Sequence, residues 1–185
     1  ALGFVFCEAS KRAISIESAA KIADALPPFL VRVGLFLNPE ESEVRAALQQ
    51  IPNLIPQFHG TETPAWCDSF ERPDLKAIGV ANGMPSADKL QAYSRSQGFL
   101  FESHAPGELG GTGHAFDWTK LEHQSPAGLI LAGGLGPENV EEAVRTVRPY
   151  AVDVSSGVEQ AKGVKDLAKM EAFVNAVRRA DNALA

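Results

Sequence analysis

The sequence predicts an α/β protein built as a (β/α)8 barrel, with strands two to eight of that barrel present in its 185 residues. Three observations predict it. Short apolar runs start at residues 2, 29, 54, 75, 98, 128 and 150, which is a recurring unit of about 25 residues, the size of a strand and its crossover helix. The runs are apolar throughout rather than alternating, as strands covered on both faces are. The glycine clusters follow the last two runs, as Ala132-Gly133-Gly134-Leu135-Gly136 and Ser155-Ser156-Gly157. An open doubly wound sheet carries its phosphate loop after the first strand, but here the first run leads into Cys7-Glu8-Ala9-Ser10-Lys11-Arg12, without glycine. Barrels of this type build phosphate sites from the loops after strands seven and eight. The expectation is a single barrel domain over residues 1–185 whose N-terminal βα unit is missing.

Each element has its own justification. Residues 2–6 (LGFVF) are strand formers. Ser15 caps a helix whose apolar positions Ile16, Ala19, Ala20, Ile22, Ala23 and Leu26 recur at helical spacing. Pro27-Pro28 ends it, since a proline excludes the helical conformation from the residue before it. Residues 29–36 form the next strand, and Asn38-Pro39-Glu40-Glu41 reads as a cap, a proline in the first turn and acids facing the helix dipole. Strands follow at 54–58, 75–80, 98–101, 128–131 and 150–154. Between them lie helices from Thr63-Pro64 to Phe70, over 86–93, and from Pro137 to about Val147; a final helix spans about 166–179. Residues 102–116 make a long glycine-rich loop, with a helical turn over 117–121.

Composition narrows the function. Seventeen basic against 23 acidic residues give a net charge of −6, which speaks against a nucleic-acid scaffold. No apolar run approaches the ~20 residues of a bilayer span. Two cysteines cannot make a disulfide framework, and the four histidines show no metal-ligand spacing. These features fit a soluble, cytoplasmic protein with no nucleic acid and no membrane among its partners.

The candidate chemistry lies at strand ends. Gly133, Gly134, Ser156 and Gly157 would present backbone N–H groups to a phosphate, glycine being needed where a Cβ would block close approach. The alternative is a pair of tight turns that bind nothing. Neither loop contains a lysine, so further neutralisation would fall to Lys162 or Lys165. Asp117 stands between Phe116 and Trp118, where partial desolvation would raise its pKa and suit a general acid; otherwise it caps the turn that follows. Asp153 interrupts the apolar run Ala151-Val152-Asp153-Val154 at the end from which barrel strands present catalytic groups. Arg12 could pair bidentately with a carboxylate, or be a solvated surface arginine. Gln57 and His59 close the third run and line a pocket, unless His59 is purely structural.

These residues together resemble the phosphoribosylanthranilate isomerase family. The resemblance runs through Gly3-Phe4-Val5-Phe6 with Ser10-Lys11-Arg12, Gln57-Phe58-His59-Gly60, Gly110-Gly111-Thr112-Gly113 with Phe116-Asp117-Trp118, Ala132-Gly133-Gly134-Leu135, and Val152-Asp153-Val154-Ser155-Ser156-Gly157-Val158-Glu159. It implies a TIM barrel that isomerises N-(5-phosphoribosyl)anthranilate by an Amadori rearrangement in tryptophan biosynthesis. It implies no metal and no cofactor, a small phosphorylated substrate as partner, and a monomer or homodimer. Asp117 would be the general acid, Arg12 would bind the anthranilate carboxylate, and Gly133, Gly134, Ser156 and Gly157 would hold the phosphate. Asp153 would face the substrate, with Gln57 and His59 as further binding residues. The family's usual Ser-Pro-Arg reads Ser10-Lys11-Arg12 here, and the Lys-Ile-Cys-Gly motif that carries the family's general base does not occur in the sequence. The alternatives are an inactive or phosphate-binding barrel remnant, or a related phosphate-binding barrel enzyme such as indoleglycerol-phosphate synthase.

Overall fold

The computed structural model describes residues 1–81, 83–103, 117–121 and 128–184. Its sheet strands are β1 (Leu2–Val5), β2 (Arg32–Phe36), β3 (Leu54–Phe58), β4 (Leu75–Gly79), β5 (Gly98–Glu102), β6 (Leu129–Leu131) and β7 (Ala151–Val152). The helices are α1 (Ile16–Ala25), α2 (Glu41–Gln50), α3 (Pro64–Asp68), α4 (Ala87–Gln91), α5 (Val140–Val147) and α6 (Leu167–Leu184). A short hairpin, β8 (Glu159–Ala161) and β9 (Val164–Lys165), precedes α6. The chain forms two compact units, Ala1–Ala77 with Ser86–Gln97, and Ile78–Pro85 with Gly98–Ala185.

In the first unit β1, β2, β3 and the start of β4 are parallel neighbours in chain order. The period of two along each strand sorts side chains between two faces. Phe4, Phe36, Leu54 and Phe58 face the helices and pack with Ala19, Ala23, Val44, Ala47 and Phe70. The aromatic rings are contiguous: Phe6–Phe36 centroids are 5.1 Å apart, Phe36–Phe58 6.2 Å, and Trp66 meets Phe58 edge-on at 5.2 Å. Such offset and edge contacts add to plain area burial. The Ser15 hydroxyl accepts the Ser18 amide and Thr63 accepts the Trp66 amide, the expected caps of α1 and α3.

Two expectations need correction. The second strand begins at Arg32, not residue 29. The Leu30 N–H turns back to the Pro27 carbonyl, Phe29 is 98% exposed, and the Arg32 guanidinium instead closes the end of α1 by donating to Ala23 O at 3.0 Å. Asn38 is not the cap of α2. It sits at φ +46°, in the left-handed region, and its side chain reaches across to the Thr61 amide at 2.7 Å; α2 starts from Glu40 with no side-chain cap.

In the second unit the end of β4, then β5, β6 and β7, again follow chain order, with β5–β6 and β6–β7 parallel. Val140, Ala143, Val144 and Val147 line the buried face of α5, and Phe173, Ala176 and Ala180 that of α6. The fifth helix starts at Val140 because Pro137–Asn139 are spent on a turn. The helical turn expected at 117–121 is a 3-10 turn over Trp118–Leu121. The loop motif over residues 104–116 lies outside the described residues.

Candidate active site

The first unit presents its polar residues at the carboxyl ends of its strands. Gln57 and His59 alternate with Phe58, so they project from the face opposite the aromatic core. Gln57 is 4% exposed and His59 is half-buried. The His59 amide donates to Phe36 O at 2.8 Å, continuing the ladder one residue beyond β3. Arg12 is half-buried in the turn that follows β1. That turn is tied by Ser10, whose N–H donates to Cys7 O at 2.9 Å and whose hydroxyl accepts the Arg12 amide at 3.1 Å. Arg12, Gln57 and His59 therefore share one strand end within this unit, at β1 and β3, the two neighbours of β2.

The second unit carries the glycine loops. Gly133 and Gly134 have φ of +83° and +67°, backbone that L side chains avoid. A Cβ on Gly133 would also lie 2.9 Å from the Ser103 amide nitrogen. The loop after β7 packs directly on the loop after β6: a Cβ on Gly157 would collide with the Leu135 carbonyl oxygen. Ser156 and Gly157 form a 3-10 turn, Ser156–Val158. The turn that holds Ser156 and Gly157 thus lies against the loop of Gly133 and Gly134 at Leu135 and Gly136. Asp153 stands one residue beyond β7, exposed, with its amide donating to Leu131 O at 2.8 Å. Asp117 is also exposed, while its neighbour Trp118 is half-buried. Phe116, the other flanking aromatic, lies outside the described residues. Lys165 Nζ donates to Ser155 O at 2.8 Å and pairs with Glu159 at 3.1 Å, tying the hairpin to the glycine loop. Lys162 is exposed.

A family model for N-(5'phosphoribosyl)anthranilate (PRA) isomerase matches residues 1–176. The chain belongs to the PRA isomerase family. Among its relatives, an N-(5'-phosphoribosyl)anthranilate isomerase of Pseudomonas fluorescens is 49% identical over 178 residues, 96% of this chain and 87% of the relative. The crystal structure of phosphoribosyl anthranilate isomerase from Thermotoga maritima shares 36% identity and a TM-score of 0.81, covering 96% of this chain and 87% of that one. A phosphoribosyl anthranilate isomerase in complex with reduced 1-(o-carboxyphenylamino)-1-deoxyribulose 5-phosphate shares 33% identity at a TM-score of 0.78, covering 96% of this chain and 86% of the other.

Several residues around these strand ends escape a reading of single motifs. Asn139 staples the first glycine loop: its Oδ1 accepts the Gly136 amide at 2.8 Å and its Nδ2 donates to Gly134 O at 2.9 Å. An Asn within a few residues of a glycine run is the available signal, since its amide can satisfy turn backbone. Glu62 and Lys76 form an ion pair at 2.9 Å with both side chains about 3% exposed. Its signal is a lysine inside an apolar strand, which demands a partner. Cys67 is buried in α3; burial, then the Asp74 carboxylate, pushes its thiol up to about 12, so it stays protonated and inert.

Proposed function

We propose that this chain carries out the isomerisation of N-(5-phosphoribosyl)anthranilate to the 1-deoxyribulose 5-phosphate form, a step of tryptophan biosynthesis. The match to the PRA isomerase family over residues 1–176 carries the reading, and the packed pair of glycine loops supports it. Gly133, Gly134, Ser156 and Gly157 hold the phosphate through backbone N–H groups and a hydroxyl. Arg12 takes the anthranilate carboxylate, a planar anion suited to a guanidinium fork. Gln57, His59 and Asp153 contact the ribose and amine. Asp117 is the general acid. It protonates the furanose oxygen, the C1–O bond breaks, and the nitrogen lone pair forms the C1=N bond of a Schiff base. Loss of the C2 proton to a base gives an enolamine, which takes a proton at C1 and tautomerises to the aminoketose. No redox partner enters, because the electrons move only within the substrate.

By the family resemblance, the strands correspond to strands two to eight of an eight-stranded barrel. By the family resemblance the general base belongs to a Lys-Ile-Cys-Gly motif, which does not occur in the sequence.

The decisive assay follows conversion of the aminoaldose by the full-length enzyme and by Asp117→Asn. Replacing a general acid by a neutral amide is expected to lower kcat by about 10²–10⁴-fold. An unimpaired Asn variant would remove Asp117 from that role, and an inactive parent would leave the phosphate-binding remnant as the better reading.

A further inference from the structure

In the first unit, the backbone that carries His59 is held from both sides by one buried ion pair. All three Lys76 Nζ donors are spent there: on Phe58 O at 3.0 Å, Gly60 O at 2.7 Å and Glu62 Oε2 at 2.9 Å. The Glu62 carboxylate accepts the Gly60 amide at 2.9 Å through Oε2, and the Asn38 amide at 2.8 Å through Oε1. Asn38 in turn accepts the Thr61 amide at 2.7 Å. The Tyr93 hydroxyl closes the far side by donating to Glu62 O at 2.7 Å. Gly60 has no room for a side chain, because a Cβ there would overlap the Asn38 amide group.

A loop at the carboxyl end of a strand is ordinarily mobile. This one has its backbone groups fixed from residue 58 to residue 61. Stability alone is a poor reason for such a pair, because a buried ion pair replaced by apolar groups of like volume is often neutral or better. The hydrogen bonds of this pair do not serve the core. Apart from the bond to the Asn38 amide, they converge on the peptide units around His59.

We propose that Glu62 and Lys76 are positioning residues for the isomerase reaction: their buried pair clamps the peptides flanking His59 and sets His59 and Gln57 in the geometry that meets the substrate. The proposal rests on the reading above that His59 contacts substrate.

The test compares the full-length enzyme with three variants: His59→Ala; the neutral pair Glu62→Gln/Lys76→Met; and Glu62→Asp, which keeps the charge but shortens the reach. Kinetics of the aminoaldose are measured well below the thermal midpoint, together with hydrogen exchange of the Gly60 and Thr61 amides. Both Glu62 variants are expected to lose at least tenfold protection at those amides. KM is expected to rise about tenfold to a hundredfold, as small misplacements of binding groups do. A purely structural pair would lower the thermal midpoint and leave KM and kcat unchanged. Lost protection with parental kinetics in either folded variant overturns the proposal, as does protection that survives loss of the pair. A His59→Ala enzyme with parental KM would instead sink the assignment of His59, and the clamp's catalytic role with it.

Discussion

Asp74 illustrates how one buried carboxyl links the fold to pH. It is 2% exposed, at the residue before β4, and its Oδ1 has no hydrogen-bond partner among the described residues. Burial raises its pKa; Asp68 adds repulsion, while a Ser96 hydrogen bond and the charges of Lys76 and Arg95 pull the other way without prevailing. A carboxyl whose folded pKa lies above its unfolded value binds its proton more tightly in the native state. Its contribution to stability is therefore present below the unfolded value of about 3.9 and is lost as pH rises through the raised folded value. Thermal melts of the parent and Asp74→Asn across pH 4–7 (about the span in which carboxyls and His titrate) measure this. The parent is expected to lose ground to the variant as pH rises. A constant difference would show that Asp74 titrates as in the unfolded chain.

At the level of elements, the second unit's two glycine loops are one object. The loop after β6 is shaped by left-handed glycines and stapled by Asn139. The loop after β7 lies against it at Gly157 and is tied to the hairpin by Lys165. Gly157→Ala places a methyl group on the Leu135 carbonyl. Overpacking of that kind costs about 1–3 kcal/mol, which is a fall in thermal midpoint of roughly 2–12 °C for a chain of this length. The proposed phosphate site predicts a second effect in the same variant, a raised KM for the phosphorylated substrate. A variant with parental midpoint and parental KM would show that the loops yield to the methyl group and that their contact does not shape the site.

The isomerase reading makes its own prediction for the whole molecule. A ligand that binds only the folded chain at about 100 times its Kd stabilises by about 2.7 kcal/mol, or a rise of roughly 5–10 °C in midpoint. Reduced 1-(o-carboxyphenylamino)-1-deoxyribulose 5-phosphate is the compound to use, and no shift at saturating concentration would speak against the site. What could be read without coordinates was whatever is written locally. Apolar runs mark strands because burial on both faces leaves no polar positions, Ser15 and Thr63 mark helix starts, and glycines mark where a Cβ cannot be accommodated. The misplaced start of β2, the role of Asn38, the Asn139 staple and the Glu62–Lys76 clamp were not legible in the same way. Each depends on a partner well removed along the chain or on a turn that spends the residue differently: Arg32 on Ala23, Asn38 on Thr61, Glu62 on Asn38 and Lys76. A propensity or a motif belongs to neighbours in sequence, so one chain suffices to read it. A buried charge is tolerable only beside the group that neutralises it, and which group that is emerges when the strands have been laid side by side.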